Sequence, residues 1–161
     1  MSRVSAPADA GYTVIEMVVT IALAGALMAM AVSGWQAWSQ AQEHDGLVVR
    51  LQAEMRQAQQ RAVTTGTSTC VLFDDAADTW RTYLGACSSD TKQPVGSAVE
   101  AGARLHLTSP SFAQGAEATG PGLTFTPRGT ATPGSVRVAR DGSDRVVVVS
   151  VEGLTGRVST R

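Results

Sequence analysis

The segment GYTVIEMVVTIALAGALMAMAVSGW, residues 11–35, contains the longest apolar run of this 161-residue chain. Its apolar part, residues 14–32, carries a single charged side chain, Glu16. A helix of that length rises about 28 Å, close to the roughly 30 Å hydrocarbon core of a bilayer. Trp35 and Trp38 follow, at the depth where membrane helices carry aromatic residues. The sequence therefore predicts a transmembrane helix with an acid near its start.

A short polar leader, residues 1–11, precedes the apolar run. An ordinary secretory signal peptide has a basic start, an apolar core and small residues at a cleavage site. The segment AMAVSG, residues 29–34, matches such a site only weakly. We therefore expect the apolar helix to be retained in the mature protein.

The carboxylate of Glu16 lies in an apolar segment and needs either water or a cation beside it. A carboxylate at the centre of a membrane helix costs about 2.5–3.5 kcal/mol, and less near the end. Glu16 either reaches the interface or needs a cation, and none of its apolar neighbours can serve. Cutting the chain between Gly11 and Tyr12 creates an α-amine on the same helical face, four residues before the acid. In a bundle of parallel helices this amine can pair with Glu16 of a neighbour and fix the stagger, because a slipped register leaves both charges unpaired.

Residues 11–16, GYTVIE, and the apolar run after them resemble the class III signal of type IV pilins and type II secretion pseudopilins. The resemblance implies that a prepilin peptidase cuts after Gly11 and that Tyr12, where Phe or Met is more usual, becomes N-methylated. It implies that Glu16 sets the assembly register of a helical filament. The implied partners are the peptidase, other pilins or pseudopilins in a filament tip, an inner-membrane assembly platform and the lipid bilayer.

Apolar residues continue at helical spacing beyond the span. They are Leu47, Leu51, Met55, Ala58 and Ala62. This stripe predicts that the helix runs on, as an amphipathic helix, to about Thr64. Gly66 is a plausible stop, and Ser33-Gly34 and Asp45-Gly46 are weak points within the helix.

Short strand-like runs replace the helical pattern after Gly66. They are TCVLFDD, WRTYL, RLHLT, GLTFTPRG, SVRVAR and VVVVSV. The first two predict a hairpin, and the unbroken valines predict a strand covered on both faces. Residues 88–103 and 113–122 are rich in small residues and are predicted as loops. The predicted fold class is α+β, a long N-terminal helix packed on a small, mostly antiparallel β domain.

The chain has two cysteines, Cys70 and Cys87, which the predicted hairpin brings close together. An even count outside a membrane is compatible with one disulfide, and closing a loop of about 18 residues would stabilise the fold by about 3 kcal/mol. Two unrelated buried thiols remain the alternative. Neither His44 nor His106 stands at a metal-ligand spacing from a cysteine.

Three further segments resemble the GspH/FimT branch of minor pilins and pseudopilins: RLQAEMRQAQQRAVTTGT, LTFTPRGTATPGSV and VVVVSVEGLTGRVSTR. The implied organisation is a prepilin leader at 1–11, a transmembrane half-helix at 12–35, an amphipathic half-helix at 36–65 and an exported β domain at 66–161. The implied location is the cytoplasmic (inner) membrane, crossed once, with the C-terminal domain outside the cytoplasm. From there the subunit enters a pilus or pseudopilus.

The net charge is −1, but residues 128–161 carry six arginines against three acidic residues, on what reads as a flexible end. Some FimT-like pilins bind DNA through a C-terminal G-R-x-R motif. Here Gly156-Arg157 lacks the second arginine at its usual place, and Arg161 lies two residues beyond it. No aromatic residue beyond Phe125 could stack on bases. DNA contact by Arg157 and Arg161 is therefore an alternative that is not favoured, and Arg157 equally fits a structural or inter-subunit role.

No motif of a hydrolase, metalloprotease or nucleotide-binding enzyme occurs in the chain. The acidic run DDAAD, residues 74–78, lacks the spacing of a calcium loop and is predicted as a hairpin turn. We predict no catalytic activity, no cofactor and no metal. The predicted function is a minor pseudopilin or pilin, and the rivals are a DNA-binding minor pilin and a membrane-anchored binding domain that never assembles.

Overall fold

A computed structural model describes residues 13–114 and 119–161. The predicted leader, the junction Gly11–Tyr12 and the methylation site at Tyr12 lie outside the described residues. Within them, one α-helix, α1, runs from Val14 to Thr65 and includes both predicted weak points without a break. Gly66 ends the helix as predicted, and its φ of +64° is the left-handed conformation that favours glycine after a helix.

Short strands make up most of the remaining described chain: β1 (Thr69–Asp74), β2 (Thr79–Leu84), β3 (Gln93–Glu100), β4 (Leu105–Ala113), β5 (Thr119–Gly120), β6 (Gly122–Phe125), β7 (Gly134–Arg140), β8 (Ser143–Val151) and β9 (Val158–Thr160). Sheet A has the order β3-β2-β1-β6, and sheet B has the order β5-β4-β7-β8-β9. Neighbouring strands in both sheets are antiparallel. The predicted α+β class, one long helix with an antiparallel β domain, is confirmed.

The structure divides into two compact units. The first ends at Ala41, and the second is Gln42–Arg161. In the second unit the predicted stripe of α1 forms part of the core, since its members, Leu47, Leu51, Met55, Ala58 and Ala62, are all buried. Phe73 of sheet A stacks on Phe112 of sheet B with ring centroids 5.6 Å apart, which joins the two sheets.

Two predicted loops contain strands, so those predictions were wrong. The segment 88–103 holds β3, whose Pro94 and Gly96 are poor strand formers. They are tolerated because β3 is an edge strand, which pairs in the described part of the chain only with β2 and with a shift in register along the ladder. The segment 113–122 holds the two-residue strand β5, which pairs with the end of β4, while residues 115–118 lie outside the described part of the chain.

The valine run of β8 is covered on one face only, which corrects the prediction that both faces are covered. Val149 and Val151 are buried, and Val147 packs against the same core. Val146, on the opposite face, is 46% exposed. Successive strand residues point to opposite faces, so the valines beside the core ones look outward.

Candidate functional site

The N-terminal part of α1 presents apolar side chains to the outside. Residues Val14–Ala31 have a mean hydropathy of 2.2 and none of this segment is buried. In the described part of the chain it is the one helix long and apolar enough to span a bilayer. Trp35 and Trp38 follow it, both exposed, with ring centroids 5.4 Å apart. An exposed apolar surface of this length is unfavourable in water. It becomes stable when lipid hydrocarbon or the side chains of other helices cover it.

Thr13 caps the helix and places Glu16 in the first turn. The Glu16 N–H donates to the Thr13 hydroxyl over 3.3 Å, and the Met17 N–H donates to the Thr13 carbonyl over 3.2 Å. The pattern Thr-x-x-Glu is the capping-box signature, in which an acid at the third helical position favours the helix start. The helix dipole also favours a negative charge there. Thr13 thus bonds the backbone N–H of Glu16, and the expectation that the Glu16 carboxylate needs a cation stays a prediction.

The disulfide predicted from the cysteine count is present between Cys70 and Cys87, so the alternative of two unrelated thiols was wrong. Cys70 is buried in β1, and Cys87 follows β2. The Cys87 N–H donates to the Thr124 hydroxyl over 3.1 Å. The bond and the hydrogen bond together hold the segment after β2 against β1 and β6.

The acidic run DDAAD forms a hairpin turn, as predicted. One Asp74 carboxylate oxygen accepts hydrogen bonds from the N–H groups of Ala76 and Ala77, each over 3.1 Å. This is the local side-chain bonding for which aspartate favours turns. Among the described residues, no group of three or more His, Cys, Asp and Glu side chains could hold a metal ion.

His106 links the two sheets, a role that the sequence analysis missed. Its Nδ1 lies 2.7 Å from the carboxylate of Asp78, in the hairpin turn of sheet A. Its Nε2 lies 3.0 Å from the carboxylate of Asp141, in the turn between β7 and β8 of sheet B. The Leu107 N–H donates to the second Asp78 oxygen over 2.8 Å. We call these three side chains, Asp78, His106 and Asp141, the His106 bracket.

The His106 bracket favours the charged imidazolium. Both ring nitrogens can donate only when the ring is protonated, and each faces an acceptor. The hydrogen bond to Asp78, then the one to Asp141, raise the pKa of His106 above its ordinary value of 6.5. The imidazolium is therefore the form that joins the sheets.

The His106 bracket makes the free energy of unfolding depend on pH. The folded-state pKa lies above the unfolded value, so the contribution is complete below pH 6.5 and is lost as pH rises through the folded pKa. We expect the difference in urea midpoint between the wild type and His106→Gln to be largest in mild acid and to shrink with rising pH. NMR titration of the His106 ring should place its pKa above 6.5, and Asp141→Asn should lower it. A midpoint difference that is constant from pH 5 to 9 would contradict this account.

Arg157 and Arg161 flank β9 and are both exposed. Arg161 exchanges two backbone hydrogen bonds with Val148, of 3.0 and 2.9 Å, and the Arg157 carbonyl accepts from the Glu152 N–H over 3.0 Å. The end of the chain is thus part of sheet B rather than the flexible end expected from the sequence. Not all six arginines are available for a ligand, since Arg145 pairs with Asp45 of α1 over 3.1 Å.

Gln59 of α1 anchors the loops beside β9. Its side-chain amide donates to the Gly129 carbonyl over 2.8 Å and to the Thr155 carbonyl over 3.0 Å. Gly156 follows with a φ of +62°, and a Cβ there would collide with the Gln59 amide. These hydrogen bonds therefore attach the C-terminal part of α1 to the loops at Gly129 and Thr155, the second of which leads into β9.

Comparisons with known proteins agree with this architecture. The family model described as "Type II transport protein GspH" matches residues 47–154, which is more than half of the chain. A search of curated proteins found no match.

Several solved structures share the fold at low sequence identity. The minor pseudopilin EpsH of the Vibrio cholerae type 2 secretion system has a TM-score of 0.57 and 14% identity, covering 73% of this chain and 94% of that one. The Pseudomonas aeruginosa type IV minor pilin FimU has a TM-score of 0.57 and 19% identity, covering 77% and 92%. The solution structure of E. coli GspH has a TM-score of 0.54 and 18% identity, covering 76% and 88%. The family match decides the assignment: the chain belongs to the GspH family of type II transport proteins.

Proposed function

We propose that this chain is a minor pseudopilin, a structural subunit of the short filament of a type II secretion system. The observation that carries the proposal is the nature of α1. Its N-terminal part is apolar, exposed and long enough for a bilayer, with Glu16 in the first turn, while its C-terminal part belongs to the core of the β domain. A type IV pilus would use the same features, and the family match to a type II transport protein favours secretion.

The proposed route starts with a precursor that crosses the cytoplasmic membrane once. Prepilin peptidase removes residues 1–11, and Tyr12 is methylated. The transmembrane half, 12–35, and the amphipathic half, 36–65, then enter the filament at or near its tip through the assembly platform, and residues 66–161 stay outside the cytoplasm. The apolar side chains exposed on α1 are covered first by lipid and then by neighbouring subunits.

The subunit acts by binding other subunits within a filament rather than by catalysing a reaction. The family is one of structural pseudopilins, and we propose neither catalysis nor a cofactor for this member. The exposed arginines Arg157 and Arg161 flank β9 at the edge of sheet B, where they are available for contacts with other proteins. DNA binding is not proposed, because no observation on the described residues favours it.

Processing tests the proposal directly. Intact-mass analysis of the chain, purified from membranes of a host with a prepilin peptidase, should show loss of residues 1–11 and the gain of one methyl group. Replacing Gly11 with a bulky residue, as in Gly11→Leu, should leave the precursor uncut, because the peptidase must accommodate the residue before the cleaved bond. Ala6→Leu, within the leader but away from that bond, is the matched control and should be processed normally.

Two outcomes would contradict the proposal. A mature N-terminus near residue 34 would mean that the apolar segment is an ordinary signal peptide. A chain that stays full length in the membrane would mean a membrane-anchored domain that never assembles.

A further inference from the structure

A groove runs between α1 and the outer edge of sheet B. Its volume is about 490 Å³, and it is lined by Gln52, Arg56, Gln59 and Gln60 on the helix side and by Arg157, Val158, Ser159 and Thr160 on the sheet side. We call it the β9 groove. Both walls belong to the unit Gln42–Arg161, and the side chain of Gln59 bonds the helix wall to the loops at Gly129 and Thr155.

One wall of the β9 groove is a strand edge with free backbone groups. Within residues 13–114 and 119–161, β9 is the last strand of sheet B and pairs only with β8. Val148 and Arg161 exchange both backbone hydrogen bonds, and Ser150 lies opposite Ser159 in the same register. Because bonded residues alternate along an antiparallel pair, the N–H and C=O groups of Ser159 face β8 and those of Val158 and Thr160 face away. The outer edge therefore offers a donor and an acceptor at each of these two residues.

The other feature of the β9 groove is uncompensated positive charge. Arg56 and Arg157 are exposed, and the described residues that line the groove include no acidic one. Among the described residues, neither arginine lies within ion-pair distance of a carboxylate, whereas Arg50 and Arg145 each have one. Amides and hydroxyls make up most of the remaining lining, so the groove suits a hydrogen-bonding, negatively charged occupant.

We propose that the β9 groove binds an extended, acidic segment of a partner protein, which adds as a strand to β9. Backbone hydrogen bonds to Val158 and Thr160 would hold the segment, and its carboxylates would pair with Arg56 and Arg157. The identity of the partner rests on the proposed function, under which it is an adjacent subunit of the filament. The groove lies in the exported unit, so this contact is additional to the packing of N-terminal helices.

Amide hydrogen exchange of the ¹⁵N-labelled full chain in detergent micelles tests strand addition. The probe is a capped hexapeptide of alternating valine and glutamate. At saturation, exchange of the Val158 and Thr160 amides should slow by about 10-fold or more, since exchange then requires release of the peptide. The amides of Ser159 and Arg161 already bond to β8 and serve as internal controls whose exchange should change little.

Variants separate the backbone contribution from the charge contribution. Thr160→Pro removes the outward N–H, and its ring also fills the space of that hydrogen bond and fixes φ, so the peptide should no longer protect Val158. Thr160→Ala keeps that N–H and should bind as the wild type does. Arg56→Gln and Arg157→Gln should each weaken binding about 2- to 5-fold, the range for an exposed ion pair. Arg137→Gln removes an equal charge from β7, outside the groove, and should have no effect.

Three results would overturn the proposal. If a hexapeptide of valine and lysine bound as tightly as the one of valine and glutamate, pairing of carboxylates with Arg56 and Arg157 would be excluded. Unchanged exchange at Val158 and Thr160 up to millimolar peptide would exclude strand addition. Tighter binding of a single-stranded oligonucleotide to Arg56 and Arg157 would exclude a peptide as the occupant. Because the titration uses the isolated chain, its failure would leave processing and assembly, which are measured in the membrane, as separate questions.

Discussion

Glu16→Val is expected to exclude the subunit from filaments while leaving it in the membrane. Under the proposed function, the amine of Tyr12 on an adjacent subunit is the partner of Glu16, and removing one partner of a buried ion pair costs about 3–5 kcal/mol. Incorporation should then fall roughly 100-fold or more. Membrane insertion should be unchanged or improved, because a charge is removed from the span. Crosslinking of the membrane-resident and assembled pools measures both quantities.

The capping of α1 by Thr13 calls for a second variant in the Glu16 experiment. Glu16→Gln keeps the capping-box pattern and removes only the charge. It should be excluded from filaments as Glu16→Val is, and both should be processed normally, since the cut bond lies five residues upstream. If Glu16→Gln assembles as the wild type does and only Glu16→Val fails, the acid acts through the helix start. If both assemble normally, the charge-pair account is wrong for this subunit.

Leu51→Ala is expected to lower the free energy of unfolding by about 2–5 kcal/mol. Leu51 is fully buried, and the truncation leaves a cavity between α1 and the sheets. Val49→Ala is the matched control on the same helix, since Val49 is 63% exposed and its loss should change the free energy by less than about 0.5 kcal/mol. Urea unfolding can be followed by the fluorescence of Trp80 after Trp35 and Trp38 are replaced with phenylalanine.

The outcome of the Leu51 experiment tests which face of α1 is the core face. Equal losses for Leu51→Ala and Val49→Ala would mean that the helix does not pack on the sheets as described. A loss confined to Leu51→Ala would show that the apolar stripe of the helix stabilises the unit Gln42–Arg161. The stripe would then serve the β domain rather than contacts with other subunits.

Features that depend on local spacing could be predicted from the sequence. The stripe through Leu51 and Met55 follows from the period of the helix, and the first hairpin follows from two alternating runs around an aspartate-rich turn. The predicted hairpin and the even cysteine count were compatible with a disulfide between Cys70 and Cys87, and the structure confirms that bond. The capping of α1 by Thr13 is also a local feature, because Thr-x-x-Glu is a short sequence signal for a helix start.

Features that depend on distant pairing could not be predicted. β3 contains proline and glycine, and its extended form comes from pairing with β2 rather than from propensity. The partners of His106 lie 28 and 35 residues away, in turns whose proximity is set by the packing of the two sheets. The β9 groove depends on a three-residue strand and on the anchoring of its loops by Gln59. A strand of that length gives no periodic signal.

Under the proposed function, the disulfide between Cys70 and Cys87 sets an order for the maturation of this protein. Thiols are kept reduced in the cytosol, so the bond would form only after the segment that carries both sulfur atoms has crossed the bilayer. On that route the hairpin would acquire its cross-link on the far side of the membrane. Oxidation would then come between translocation and polymerisation, and the finished subunit would depend on an oxidant outside the cytoplasm.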